Sequence, residues 1–148
     1  MDDLALMLVP GLNCTAALYA PQMAALSEGR MLVIPDHRSD DSLEAMAARA
    51  LAAAPSRFAL CGLSMGGYVA FEILRQAPER VARLALLDTR SRADTADDTE
   101  KRERLIALAA SGRFEDVHVV LWQRLVHKNR LDDVALEAVV KTMMRDTG

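Results

Sequence analysis

Several features that mark specialised protein classes are scarce or absent in this 148-residue sequence. Only two cysteines occur, Cys14 and Cys61, and they lack the spacing of a metal site. Aromatic residues make up 4% of the chain and the formal net charge is -3, which argues against a nucleic-acid interface. No apolar run approaches the roughly 18 residues that span a bilayer, and the first residues carry no basic charge. We therefore expect a cytoplasmic protein that has no metal or cofactor and binds neither nucleic acid nor membranes.

What the sequence does contain is a high proportion of apolar residues in a regular arrangement. The chain is 51% hydrophobic with a mean hydropathy of +0.06, enough for a compact hydrophobic core. Short apolar runs that end in turn residues predict strands over 4–9, 31–34, 58–63 and 84–87. Amphipathic segments between them predict helices, of which the clearest covers 43–54 and follows a capping box formed by Asp41 and Glu44. Strands that alternate with helices indicate an α/β fold with a parallel sheet, and ligands bind such sheets at the carboxyl ends of the strands.

The motif with the clearest chemical meaning is Gly-x-Ser-x-Gly at 62–66, which directly follows the apolar run 58–63. The pattern predicts a strand, a sharp turn and an amphipathic helix in that order, with Ser64 on the turn. Glycines are needed on either side, because a Cβ there would collide with the neighbouring strand or helix. Such a turn holds its serine in a strained conformation with the hydroxyl clear of the sheet, so Ser64 is a candidate nucleophile.

These residues resemble the α/β-hydrolase superfamily, in particular its small serine hydrolases, whose nucleophile turn reads Gly-Leu-Ser-Met-Gly-Gly as 62–67 do here. The segment 8–13 is similar to the family's strand and oxyanion loop, and 84–89 is similar to the strand that follows the turn helix. The resemblance implies an acyl-enzyme on the serine and an oxyanion bound by the backbone N–H groups of Leu12 and Met65. It implies no cofactor.

The same resemblance suggests an α/β core over 1–90 and a helical, cap-like segment over 91–148. After the last predicted strand the composition becomes polar, and three amphipathic helical stripes follow. A helical insertion at this point is similar to the cap that covers the active site in many members of the family. Three apolar residues of this segment are either ordinary core or the lining of an acyl pocket: Trp122, Met143 and Met144.

The base and the acid of a serine triad have no clear counterparts in this chain. In the family they follow the cap, so we expect both beyond residue 148 and a sheet that is incomplete on its carboxyl-terminal side. His37 should lie two strands from Ser64, about 10 Å away at roughly 4.8 Å per strand. The other two histidines, His118 and His127, fall in the cap. Asp88 ends the last predicted strand and is either the orienting acid or an ordinary turn residue.

The sequence thus predicts a serine hydrolase that acts on a small-molecule carboxylic ester or thioester through an acyl-enzyme at Ser64. We expect this truncated chain to be weakly active or inactive, because no base accompanies the serine. The alternative is a non-catalytic binding module that keeps the same pocket for an apolar small molecule. With the sheet incomplete, we also expect self-association through the exposed strand edge at 84–87.

Overall fold

The computed structural model describes residues 4–147, and strands alternate with helices through the first part of this range. The strands are β1 (Ala5–Val9), β2 (Leu32–Val33), β3 (Phe58–Leu63) and β4 (Val81–Leu87). The α-helices are α1 (Ala20–Leu26), α2 (Leu43–Ala53), α3 (Met65–Gln76), α4 (Ala96–Ala110), α5 (Phe114–Leu125) and α6 (Val134–Thr147). Short 3₁₀ turns occupy Ala16–Tyr19, Pro78–Arg80 and Lys128–Arg130. The strand predicted over 31–34 is shorter than expected, because only Leu32 and Val33 pair with β1.

The α/β prediction is confirmed, since the four strands form one parallel sheet in the order β2-β1-β3-β4. A helix lies between each pair of consecutive strands, as parallel connections require. In the register of the sheet, Val9 is opposite Gly62 and Leu63 is opposite Leu87. The carboxyl ends of β1, β3 and β4 therefore meet at one edge, and the turn after β3 lies between its two neighbours.

Two groups of apolar side chains cover the two faces of the sheet. The larger group joins the strands to α2 and α3 and includes the fully buried Met7, Phe58, Leu60, Val69 and Ile73. The smaller group is built on Leu8, Tyr19 and Cys61. Cys61 is buried in β3 as a small core side chain, which matches its place in the predicted apolar strand.

The helix α2 begins one residue later than the predicted capping box requires. Ser42 is the N-cap residue, with an extended backbone (φ -141°, ψ 154°) and a hydroxyl that accepts a hydrogen bond from the Ala45 N–H. The Asp41–Glu44 capping box is therefore wrong. The serine hydroxyl reaches the first-turn amide directly, so Glu44 lies inside the first turn.

The strand β4 differs from the other strands because most of it is exposed. Within residues 4–147 it pairs only with β3, and the five positions 83–87 are all exposed. Among them are three large apolar side chains, Leu84 (43% exposed), Leu86 (38%) and Leu87 (46%). This edge therefore presents apolar side chains together with backbone groups that no described strand pairs.

The chain divides into two compact units. The first contains the sheet and extends to Ser91, with Asp146 and Thr147 also assigned to it, and the second is Arg92–Arg145. In the second unit, α4 begins with a capping box in which Thr95 and Asp98 bond each other's backbone N–H groups.

The helical unit has its own buried side chains. The Trp122 indole N–H donates to the Leu131 carbonyl, and the ring packs against His118 at 5.4 Å between centroids. Met143 and Met144 are also buried. None of the helices described between residues 4 and 147 is both long enough and apolar enough to cross a membrane.

Candidate active site

Ser64 forms a sharp turn between the end of β3 and the start of α3. Its backbone angles, φ +53° and ψ -115°, lie in a region that residues with a Cβ rarely adopt. The two preceding residues are buried or half-buried, whereas Ser64 itself is exposed at the carboxyl edge of the sheet. The serine side chain is thus presented to solvent by a strained backbone, as a nucleophile requires.

Close backbone contacts explain why glycine flanks this serine. A Cβ on Gly66 would lie 2.2 Å from the carbonyl oxygen of Val9 and 2.6 Å from that of Pro10. A Cβ on Gly62 would lie 2.3 Å from the Gly66 carbonyl oxygen. Because those neighbours are backbone atoms, they cannot move aside without displacing the end of β1 or the first turn of α3.

The loop after β1 lies directly beside Ser64. An ideal Cβ position on Gly11 is 3.5 Å from the Ser64 Cβ, an ordinary van der Waals distance. The loop forms a tight turn in which the Cys14 N–H donates to the Gly11 carbonyl at 3.2 Å, with Asn13 in the left-handed region (φ +58°). The buried Tyr19 hydroxyl donates to the Val9 carbonyl at 2.9 Å, which fixes the point where the loop leaves the strand.

The two backbone N–H groups that we expect to bind the oxyanion belong to the residues that follow Gly11 and Ser64. Leu12 is in the loop after Gly11 and is 56% exposed, while Met65 opens α3 directly after Ser64. Within residues 4–147 neither N–H donates to an intramolecular acceptor. Both are therefore available to an external oxygen, and their role in binding an oxyanion stays a prediction.

The Cys14 thiol, in the loop beside the serine, is a poor competing nucleophile. Burial raises the pKa of Cys14, whose Sγ donates a hydrogen bond to the Leu12 carbonyl at 3.4 Å. A raised pKa leaves this thiol protonated at neutral pH, and the thiolate is the reactive form. Burial also raises the pKa of the Cys61 thiol and of the Tyr19 hydroxyl. The buried groups beneath the site are consequently uncharged.

The three histidines are distributed over both units, and none of them is assigned as the base of Ser64. His37 follows β2, which β1 separates from β3, and burial lowers its pKa. His118 and His127 belong to the second unit and are engaged there, His118 with Glu137 at 3.2 Å and His127 with the Asn129 N–H. In the part of the first unit that the structure describes, no histidine hydrogen-bonds Ser64.

Asp88 sits at the turn that ends β4. It has a left-handed backbone (φ +44°), its side chain is exposed, and its carboxylate makes no hydrogen bond or ion pair within residues 4–147. Aspartate is one of the few residue types that tolerate this conformation, which accords with a turn residue. Its role as the acid that orients a histidine stays a prediction.

Residues 4–147 offer no clear alternative to Ser64 as a catalytic or metal-binding site. No three His, Cys, Asp or Glu side chains between residues 4 and 147 cluster in a way that could hold a metal ion. A cavity of about 430 Å³ opens at the amino ends of the strands, beside Leu4, Arg57 and Arg83. It lies at the opposite edge of the sheet from Ser64, where parallel α/β sheets do not place their catalytic groups.

Comparisons with known proteins show which proteins this chain is similar to. No protein-family profile matches the chain. The sequence is 31% identical to a pimeloyl-(acyl-carrier protein) methyl ester esterase from Nitrosomonas europaea, in a match that covers 57% of this chain and 42% of that protein. A thermophilic esterase from Thermogutta terrifontis has a similar structure, with a TM-score of 0.79 at 26% identity over 95% of this chain and 57% of its own. A hydrolase from Pseudomonas aeruginosa, at 18% identity, shares the fold with a TM-score of 0.79 over 100% of this chain and 61% of its own. The chain thus spans less than two thirds of the length of each of these proteins.

Proposed function

The chain has the α/β-hydrolase fold, and from that premise we propose that it is a serine hydrolase of carboxylic esters or thioesters. The observation that carries the proposal is the exposed, left-handed Ser64 beside the Gly11 loop. Strained residues cluster at functional sites, and parallel α/β sheets bind their ligands at the carboxyl ends of the strands. The named activities of the Nitrosomonas and Thermogutta relatives, both esterases, support the same reaction class.

In the proposed reaction the Ser64 Oγ attacks the ester carbonyl carbon and forms a tetrahedral intermediate. The negative charge that develops on the carbonyl oxygen is stabilised by the N–H groups of Leu12 and Met65. Collapse of the intermediate expels the alcohol or thiol, which takes up the proton lost by the serine, and leaves an acyl-enzyme at Ser64. Water then attacks the acyl group, releases the acid and restores the serine hydroxyl.

An apolar acyl group suits the surroundings of the serine. Leu12 is 56% exposed on the adjacent loop, and Leu87, whose carbonyl bonds the Ser64 N–H, is 46% exposed. Met65 is half-buried on the other side of the serine. These side chains can bury an uncharged acyl chain but offer no partner to a charged one, so we propose small-molecule esters with an apolar acyl part.

One observation favours the second candidate, a binding module without catalysis. Ser64 has no histidine partner in the described part of its unit, and a serine hydroxyl without a base is a weak nucleophile. The exposed Leu12 and Leu87 would serve an apolar ligand equally well in such a module. The two candidates differ in whether Ser64 ever forms a covalent bond.

A serine-directed fluorophosphonate probe distinguishes the serine hydrolase from the binding module. We expect intact mass spectrometry of the chain to show one adduct, which Ser64→Ala abolishes. Among the serines of residues 4–147, Ser64 alone combines exposure with a positive φ beside available backbone N–H groups. Ser39→Ala is the matched control, since it removes an exposed serine from a loop of the same unit and should leave the adduct intact. Labelling that persists in Ser64→Ala, or no labelling at all, would favour the binding module.

A further inference from the structure

We infer that Thr89 is a positioning residue, which holds the strained backbone of Ser64 in the conformation that presents its hydroxyl. The inference rests on the proposed function, since it assigns a second residue to the same reaction. Thr89 follows β4 by two positions and is 25 residues away from Ser64 along the chain. Nothing in the local sequence of the serine motif points to it.

The end of β4 holds both polar backbone groups of Ser64. The Ser64 N–H donates to the Leu87 carbonyl at 2.9 Å, and the Thr89 hydroxyl donates to the Ser64 carbonyl at 2.8 Å. Asp88 lies between these two partners with φ +44°, so the chain bends there and brings Thr89 back against the serine turn. The Ser64 carbonyl also accepts a hydrogen bond from the Gly67 N–H at 2.9 Å.

The Thr89 side chain also fills the space beside the first turn of α3. A Cβ on Gly67 would lie 2.3 Å from the Thr89 Oγ1, 2.5 Å from its Cγ2 and 2.6 Å from its Cβ. The threonine therefore fits between the helix and the end of β4, with its hydroxyl fixed toward the Ser64 carbonyl. This packing explains why position 67 is glycine. The reason differs from those for Gly62 and Gly66, whose Cβ atoms would collide with backbone.

The hydrogen bond from Thr89 has a chemical role, because a backbone in a rare conformation persists only where several surrounding contacts hold it there. Without the hydroxyl, the Ser64 carbonyl loses the one side-chain donor that ties it to the segment after β4, and the peptide after Ser64 is freer to rotate. That peptide carries the Met65 N–H, so its rotation would turn a proposed oxyanion donor away from the position that it must hold relative to the Ser64 Oγ. A misaligned oxyanion donor reduces the rate of reaction far more than it reduces binding.

The test compares Thr89→Val with Thr89→Ser in the fluorophosphonate reaction of the 148-residue chain. Valine keeps the shape of threonine and removes the donor, so we expect the rate of inactivation at saturating probe to fall about tenfold, with little change in the probe's affinity. Serine keeps the donor and should restore most of that rate. Thr99→Val makes the same chemical change in α4, where the hydroxyl bonds the Thr95 carbonyl, and should leave the rate unchanged.

Two further readouts make the outcome decisive. Thermal unfolding should be similar in the Thr89 variants, and hydrogen exchange of the Gly67 amide should be faster in Thr89→Val alone. Equal labelling of wild type and Thr89→Val, or a Thr89→Ser variant as slow as the valine variant, would overturn the inference. If the wild type is not labelled, the proposed function fails, and exchange at Gly67 then decides by itself whether the Thr89 hydroxyl holds the turn. Should Thr89→Val not fold, an unimpaired Thr89→Ser supports the inference and an impaired one overturns it.

Discussion

Hydrolysis of a short activated ester by this 148-residue chain should exceed the uncatalysed rate by no more than about 10³- to 10⁴-fold, and Ser64→Ala should reduce it to background. The limit follows from the site, in which the amides of Leu12 and Met65 are available but no histidine of the described first unit bonds the serine. Oxyanion stabilisation alone supplies an acceleration of this order when a triad member is missing. Release of p-nitrophenolate from its acetate ester measures the rate.

A much faster reaction would mean that a base has been missed. Turnover of about 10 per second, the median for enzymes, that vanished in Ser64→Ala would require an efficient proton acceptor. His118→Ala and His127→Ala would then identify it, because both residues lie in the helical unit and neither is needed for the packing of the sheet. An unchanged rate in Ser64→Ala would instead show that the hydrolysis does not use this serine.

The second large effect concerns the exposed edge of β4, through which we propose that the chain self-associates. Leu84 and Leu86 share one face of this strand, and Leu87 lies on the other, so pairing with a second copy would bury apolar side chains on both faces. We expect light scattering to show a dimer or larger species that dissociates on dilution. Leu86→Lys should raise the dissociation constant by about tenfold or more, because a charged edge strand resists pairing.

Ile106→Lys is the matched control for this substitution. Ile106 is 66% exposed on α4, so the same change from apolar to charged occurs away from the strand edge and should leave the association intact. Hydrogen exchange supplies a second measure, since the outward amides of β4 should be protected at high concentration and exposed on dilution. A monomer in which these amides exchange freely would contradict self-association at this edge.

The sequence predicted well those parts of the fold that depend on short, local patterns of residues. The apolar run 58–63 and the following Gly-x-Ser-x-Gly motif predicted β3 and its turn with the correct boundaries. The alternation of predicted strands and helices was enough to predict the parallel sheet. The cap of α2 was missed because Asp41 and Ser42 both suit that position, and only the backbone geometry shows that Ser42 occupies it.

The parts that the sequence did not predict depend on which strands are neighbours and in what register. The Thr89 contact with Ser64 exists because β4 pairs with β3 so that Leu87 ends opposite Leu63. No periodicity or motif in the sequence indicates that register. The same holds for the close contact between Gly66 and Val9, which requires β1 to lie beside β3. The catalytic base and acid stay predictions, because no pattern in the chain pairs a histidine with the serine.

The most direct test of the proposed mechanism is to find which residue carries the acyl group during turnover. The chain is mixed with p-nitrophenyl acetate, quenched in acid and digested, and the modified peptide is identified by mass spectrometry. The acetyl group is expected on Ser64, with Ser39→Ala and Cys14→Ser behaving as the wild type. An acetyl group on Cys14 with Ser64 unmodified, or product released while Ser64 is never acylated, would contradict the assignment of Ser64 as the nucleophile.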